Sequence, residues 1–124
     1  NRKPTQNEIN DVVFANNVCK YVNSNAIVIV KNFTTLGIGG GQTNRIDSAS
    51  HAIERMKKNK NLKKNLILAS DGFFPFPDII ELCKSNSIST IIQPGGSKND
   101  QQVIDSCNRN NISLLFSNIR QFKH

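Results

Sequence analysis

Two arginines, one asparagine and a knot of aromatic rings between carboxylates are the residues of this chain with chemistry beyond packing. Arg45 and Arg120 each present a planar fork of donors that fits a carboxylate, a carboxamide or a phosphate. Asn25 offers a donor and an acceptor on one carboxamide. In residues 70–78, Ser-Asp-Gly-Phe-Phe-Pro-Phe-Pro-Asp, three of the seven phenylalanines fall together. Phe73 and Phe76 could sandwich a flat heterocycle, with Asp78 accepting from its N–H groups. Burying one such ring is worth about 1.5–3 kcal/mol, a large share of a typical net stability of about 5–15 kcal/mol. The core, a partner subunit or a flat ligand must therefore cover them. Each residue also has a purely structural alternative. Arg45 can pair with Asp47 or Glu54, Asn25 can sit in a turn, and Asp71 can accept from its own loop.

The apolar pattern supplies the elements that must hold these residues. Thr5-Gln6-Asn7-Glu8 has the form of a capping box, and the apolar face from Ile9 to Val22 predicts a first helix. The β-branched runs at 26–30 and 34–38, parted by Lys31-Asn32-Phe33, predict a hairpin. Gly39-Gly40-Gly41 ends the second strand. Ile46, Ala49, Ile53 and Met56 then repeat at helical spacing. A glycine loop before a helix is a weak anion-site pattern; it matches neither a dinucleotide fingerprint nor a P-loop. Residues 66–69 predict the third strand. Pro77 suits the first position of a helix, which Ile79, Ile80 and Cys83 carry to Ser85. Residues 89–92 and 113–116 predict the last strands. Between them lies a helix through Val103, Ile104 and Cys107, opened by a second capping-box pattern at Ser97-Lys98-Asn99-Asp100. The order α-β-β-α-β-α-β-α-β predicts an α/β fold: a three-layer α/β/α sandwich on a five-stranded mixed sheet, its first strand antiparallel.

In such sheets, ligands bind beyond the carboxyl ends of the parallel strands. Arg45, then Ser70, Asp71 and the phenylalanines, then Gly95-Gly96-Ser97, then Asn118 and Arg120 follow those ends. Asn25 precedes the antiparallel strand. All are expected on one rim.

A net charge of +7 and a pI of about 9.6 suit an anionic partner, either a phosphate ester or nucleic acid. The densest basic run, Lys57-Lys58-Asn59-Lys60 with Lys63-Lys64, falls at a helix end where cations suit the dipole. It lacks the interleaved aromatics of single-strand binders, so no nucleic-acid partner is expected. No run nears the roughly 18 apolar residues of a membrane span, and residues 1–4 do not open a signal peptide. Cys19, Cys83 and Cys107 read as small hydrophobes in a reducing, cytoplasmic setting. The chain does not begin with Met and is expected to be a piece of a longer protein. Neither His51 nor His124 stands with a recognisable Ser or Cys nucleophile. The zinc-deaminase signature, His-x-Glu with Pro-Cys-x-x-Cys, is absent.

Five motifs carry a resemblance. Ser24-Asn25-Ala26-Ile27-Val28, residues 37–49 (Gly-Ile-Gly-Gly-Gly-Gln-Thr-Asn-Arg-Ile-Asp-Ser-Ala), residues 69–76 (Ala-Ser-Asp-Gly-Phe-Phe-Pro-Phe), Ile92-Gln93-Pro94-Gly95-Gly96-Ser97 and Arg120-Gln121-Phe122-Lys123-His124 closely resemble the C-terminal part of AICAR transformylase. That is the formyltransferase half of the bifunctional purine-biosynthesis enzymes whose other half is IMP cyclohydrolase. The resemblance implies a cytidine-deaminase-like fold over residues 1–124, as a C-terminal subdomain. It implies formyl transfer from 10-formyltetrahydrofolate to the 5-amino group of AICAR, in a cytoplasmic homodimer without zinc. By motif, Asn25 would serve catalysis and bind AICAR with Arg45 and Arg120. Ile46, Phe73, Phe76 and Asp78 would bind the folate, and Asp71 and His124 would lie near a potassium ion. The family's catalytic Lys-His pair has no match here, so the isolated chain is expected to be inactive. Three residues depart from the family: Pro77 stands where Arg is common, Gly72 where Ala is, and Asn44 where Ser is. Gly72 is expected to loosen the folate loop and Asn44 to alter the nucleotide hydrogen bonds. From the rim alone, a non-catalytic module binding a nucleotide or another phosphate ester stands as the alternative.

Overall fold

Residues 26–30 are buried without alternation because the strand they form is covered on both faces. The structure, a computed structural model, describes residues 2–59, 64–74 and 77–117. Its elements are α1 (Gln6–Cys19), β1 (Ile27–Lys31), β2 (Thr34–Gly39), α2 (Arg45–Lys57), β3 (Leu66–Ser70), α3 (Asp78–Ser85), β4 (Ile88–Gln93), α4 (Asp100–Arg109) and β5 (Ser113–Phe116). The sheet order is β2-β1-β3-β4-β5. β1 is antiparallel to both neighbours, while β3, β4 and β5 are parallel, as the element order predicts. One core packs Ile27, Ile29, Leu68 and Ile91 against α2, α3 and α4. The other packs Val28, Val30, Ile67 and Ala69 against Val12, Ala15 and Cys19 of α1. The fold is thus the expected three-layer sandwich.

Local chemistry sets the ends. The capping box forms: Thr5 Oγ1 accepts from Glu8 N (3.1 Å) and the Glu8 carboxylate from Thr5 N (2.9 Å). α1 stops at Cys19, short of the predicted Val22. The N–H groups of Tyr21 and Val22 close turns onto Val18 and Cys19. Val22 still packs on the core, which is why it extends the apolar periodicity. α3 opens at Asp78, with Pro77 as its N-cap. α4 opens at Asp100 rather than behind a Ser97 cap. The Asp100 carboxylate accepts from Gly96 N (2.7 Å) and Ser97 N (3.1 Å), so the second capping-box pattern closes the preceding loop instead.

The β1–β2 turn has two residues, Asn32 (φ 50°) and Phe33 (φ 58°), both left-handed, as the twist of a tight hairpin requires. The buried Asp11 carboxylate of α1 accepts from both of their N–H groups at 2.9 Å. α2 lies directly on β2, because a methyl at Gly37 or Gly39 would collide with the backbone oxygens of Ala52 or Ser48.

Register then builds the rim. Ile27, the first residue of β1, pairs with Gly39 at the end of β2 and with Ser70 at the end of β3. The chain entering β1 therefore runs between the carboxyl ends of two strands.

Candidate functional site

Asp71 is the anchor of that rim. Its side chain is fully buried. Oδ1 accepts from Ala26 N (3.1 Å) and Oδ2 from the Ser24 hydroxyl (2.6 Å), which ties the end of β3 to the start of β1. Arg45, the first residue of α2, reaches the same carboxylate: its Nη1 donates to Asp71 Oδ1 in an ion pair and to Ser70 Oγ at 3.3 Å. Its Nη2 donates to Asn25 Oδ1 at 2.8 Å.

Asn25 is fixed at its other end as well. Its Nδ2 donates to Gln42 O (3.0 Å), and its own carbonyl accepts from Ser48 Oγ (2.5 Å). The Ser24–Asn25 peptide is cis. An acceptor that meets Arg45 and a donor that meets a carbonyl leave one orientation of the carboxamide. Asn44, directly before Arg45, caps α2 by accepting from Asp47 N (2.9 Å).

Asn25, Arg45 and Asp71 thus meet, although 46 positions of sequence separate the first from the last. Arg45 does not take its local alternatives, Asp47 or Glu54. Ile46 follows on the first turn of α2 with 50% of its surface exposed. The three rings are not equivalent. Phe74 is wholly buried in the core, with its N–H donated to Gln93 Oε1 at 3.0 Å, while Phe73 is half-buried. Asp78 is exposed at the start of α3. Phe76, Arg120 and His124 lie outside the described residues.

Sequence reasoning missed Ser24, Gln42 and Ser48, which orient Asn25 and Asp71, and Gln93, whose buried Nε2 has no partner among the described residues. Their signal was weak: each is a common polar residue next to a strand or helix end.

Both Asp71 oxygens are engaged, and among the described residues no three His, Cys, Asp or Glu side chains converge as a metal site. The Cys19 thiol is pushed up to about 12, by burial and then by the Asp71 carboxylate, with Arg45 opposing. Burial raises Cys107 to about 11. Burial and then Cys107 raise Cys83 further. Two cavities of about 240 and 230 Å³ lie elsewhere, one around Arg2, Lys64 and Lys84 and one between α4 and β5; neither is lined by a residue of the cluster.

A family model described as "AICARFT/IMPCHase bienzyme" matches residues 1–55, which include Asn25, Arg45 and Ile46. The bifunctional purine biosynthesis protein PurH of Fusobacterium nucleatum is 53% identical over 122 residues, covering 98% of this chain and 24% of that protein. PurH of Clostridium acetobutylicum is 53% identical over 123 residues, 99% of this chain and 23% of that protein. Over nearly its whole length this chain is similar to part of those bifunctional proteins. It spans about a quarter of the length of the curated bienzyme relatives it matches. Solved structures show the fold alone. A dCMP deaminase from the cyanophage S-TIM5 superposes with a TM-score of 0.60 at 13% identity, covering 90% of this chain and 99% of that one. RibD of Acinetobacter baumannii gives 0.56 at 10% identity, covering 87% and 33%. The chain therefore has the cytidine-deaminase-like fold.

Proposed function

We propose that this chain forms one wall of a formyltransferase centre in a bifunctional purine-biosynthesis enzyme. The reaction moves a formyl group from 10-formyltetrahydrofolate to the 5-amino group of AICAR. The observation that carries the reading is the locked pair of Asn25 and Arg45. The pair sits on a sheet rim and belongs to a chain half identical to PurH proteins. Three N–H donors of Arg45 are used by Asp71, Ser70 and Asn25. Its Nε–H and second Nη2–H meet no acceptor among the described residues and can fork onto the nucleotide.

The amine of AICAR is a poor nucleophile, because the carboxamide-bearing ring withdraws its lone pair. Transfer needs the amine oriented on the formyl carbon, the tetrahedral oxyanion stabilised, and one proton moved from the amine to N10 of the leaving tetrahydrofolate. Asn25 supplies orientation beside the amine and carboxamide. Arg45 and Arg120 hold the nucleotide, Arg120 at its phosphate. Ile46, Phe73 and Phe76 flank the folate, with Asp78 at its pterin edge. A potassium ion near Asp71 and His124 belongs to the same reading, and zinc does not.

The Asp71 carboxylate is committed to three donors, so the proton is handled by residues outside this chain. The isolated chain is then inactive. The centre is completed by the rest of a longer protein working as a cytoplasmic homodimer. In the intact protein, Arg45→Ala and Asn25→Ala should each lower kcat/KM for AICAR by about a hundredfold, about 2.7 kcal/mol. Near-wild-type turnover in both rejects the assignment. Saturable AICAR binding without any effect of folate would favour the non-catalytic nucleotide-binding module, a reading prompted by this lack of a free proton acceptor.

A further inference from the structure

Of the four helices among the described residues, α1 alone turns no charged side chain to solvent. Its two charges, Glu8 and Asp11, are buried. The other helices keep ordinary wet faces, with Glu54 and Arg55 exposed on α2, Glu81 and Lys84 on α3, and Asp105 and Arg109 on α4. What α1 exposes instead is Gln6, Asn7, Ile9, Asn10, Val13 and Asn17. Ile9 and Val13, four positions apart, are neighbours on the helix surface, and both are exposed. Tyr21 follows in the closing turn with 76% of its surface exposed. Phe33, also exposed, meets Phe14 of the helix edge-on.

Val12, Ala15 and Cys19 already bury the side of α1 that meets the sheet. The helix is therefore apolar on both sides, and a helix apolar all round belongs in an interior. Lack of charge with aromatic rings close by is the composition of an interface core. It stands out on a chain whose net charge is +7. The face is small. Its 14 residues rise about 21 Å, and a helix about 10 Å wide then offers about 200 Å². A separate molecule needs about 800 Å² on each side. A tethered one is held at a millimolar effective concentration and needs far less. The PurH relatives, 53% identical, carry this unit within polypeptides about four times as long. We infer that the outward face of α1, centred on Val13, docks on the remainder of the same polypeptide. The surface it meets is apolar and uncharged, with groups that bond the asparagine amides. This rests on the reading of the chain as part of a longer protein.

Hydroxyl-radical footprinting of the intact wild-type protein tests this, with Val12 as an internal standard of the same residue type. Val13 is 57% exposed here and Val12 5%, so an open face oxidises Val13 about tenfold faster than its neighbour. A docked face should bring the two valines to one rate; a difference near tenfold overturns the inference. A benzophenone photo-crosslinker in place of Asn17, or of Asn10 should that variant not fold, then identifies the occupant. The expected product has the mass of one chain and joins α1 to a residue outside these 124. A two-chain product, or none of the expected kind, overturns the inference. Formyl transfer to AICAR is measured on the same samples. An active protein with Val13 open defeats the docking and spares the proposed function; an inactive one with Val13 covered by its own chain does the reverse.

Discussion

At the scale of single residues, the rim shows how one carboxylate can tie together segments far apart in the chain. Asp71 accepts from a hydroxyl, a backbone N–H and a guanidinium, and through the last it sets the orientation of Asn25. Breaking a buried ion pair by removing one partner is costly because the other charge stays buried. Asp71→Asn keeps the size and removes the charge. It should lower stability by about 3 kcal/mol in urea titrations and loosen Asn25 and Arg45 together. A loss within error of zero would show that the pair is dispensable. The sequence nominated Asn25, Arg45 and Asp71 by residue type and by position after or before a strand. It could not show that they bind one another. Local spacing offers Arg45 two acids on its own helix, and only the β1–β3 register brings a third, from another strand, within reach. Asn44 stood out in the sequence only as a departure from the family beside Arg45; the structure shows that it also caps α2, a role that needs only its position at the helix start.

At the scale of elements, α1 and the β1–β2 hairpin are joined by a contact that no periodicity reveals. Two left-handed residues in succession, one of them a phenylalanine, are an uncomfortable turn. Asp11 compensates by accepting both exposed N–H groups, and Phe14 of the same helix meets Phe33 edge-on at 5.9 Å. Asp11→Ala should cost about 2–3 kcal/mol, since both hydrogen bonds to a charged acceptor are lost. Amide exchange at Asn32 and Phe33 should rise more than elsewhere in β1 and β2. Uniform exchange across the hairpin would assign Asp11 no special part. The strands were readable because a sheet covered on both faces writes continuous β-branched runs. The helix ends were less so: Val22 is apolar because a loop packs on the core, and the pattern at Ser97 closes a loop with the same polar atoms that would cap a helix.

At the scale of the molecule, the expected element order, mixed sheet and three layers all appear, because strand–helix alternation with parallel crossovers leaves few topologies open. Less legible was how α1, which covers one face of the sheet, is pinned at its amino end. There the buried Glu8 accepts at both oxygens from Arg2 Nη2 (3.0 and 2.9 Å), and also from Thr90 (3.1 Å) and from Ser89. Burial alone would raise its carboxyl. The Ser89, Thr5 and Arg2 donors outweigh that and hold it near 2, against an ordinary 4.5. A lowered folded value adds stability that is complete above pH 4.5 and fades as pH falls through about 2. That contribution is worth about 3 kcal/mol at neutral pH. Urea midpoints should therefore drop across this window, and Glu8→Gln should flatten the drop; an equally steep profile in that variant would place the acid sensitivity elsewhere. The three cysteines add one more consequence. Their sulfurs are buried and reluctant to ionise, so an alkylating reagent meets a folded chain that offers it nothing. Any label that does appear is then a clock of momentary opening, with Cys19 timing the face under α1 and Cys83 and Cys107 timing the other.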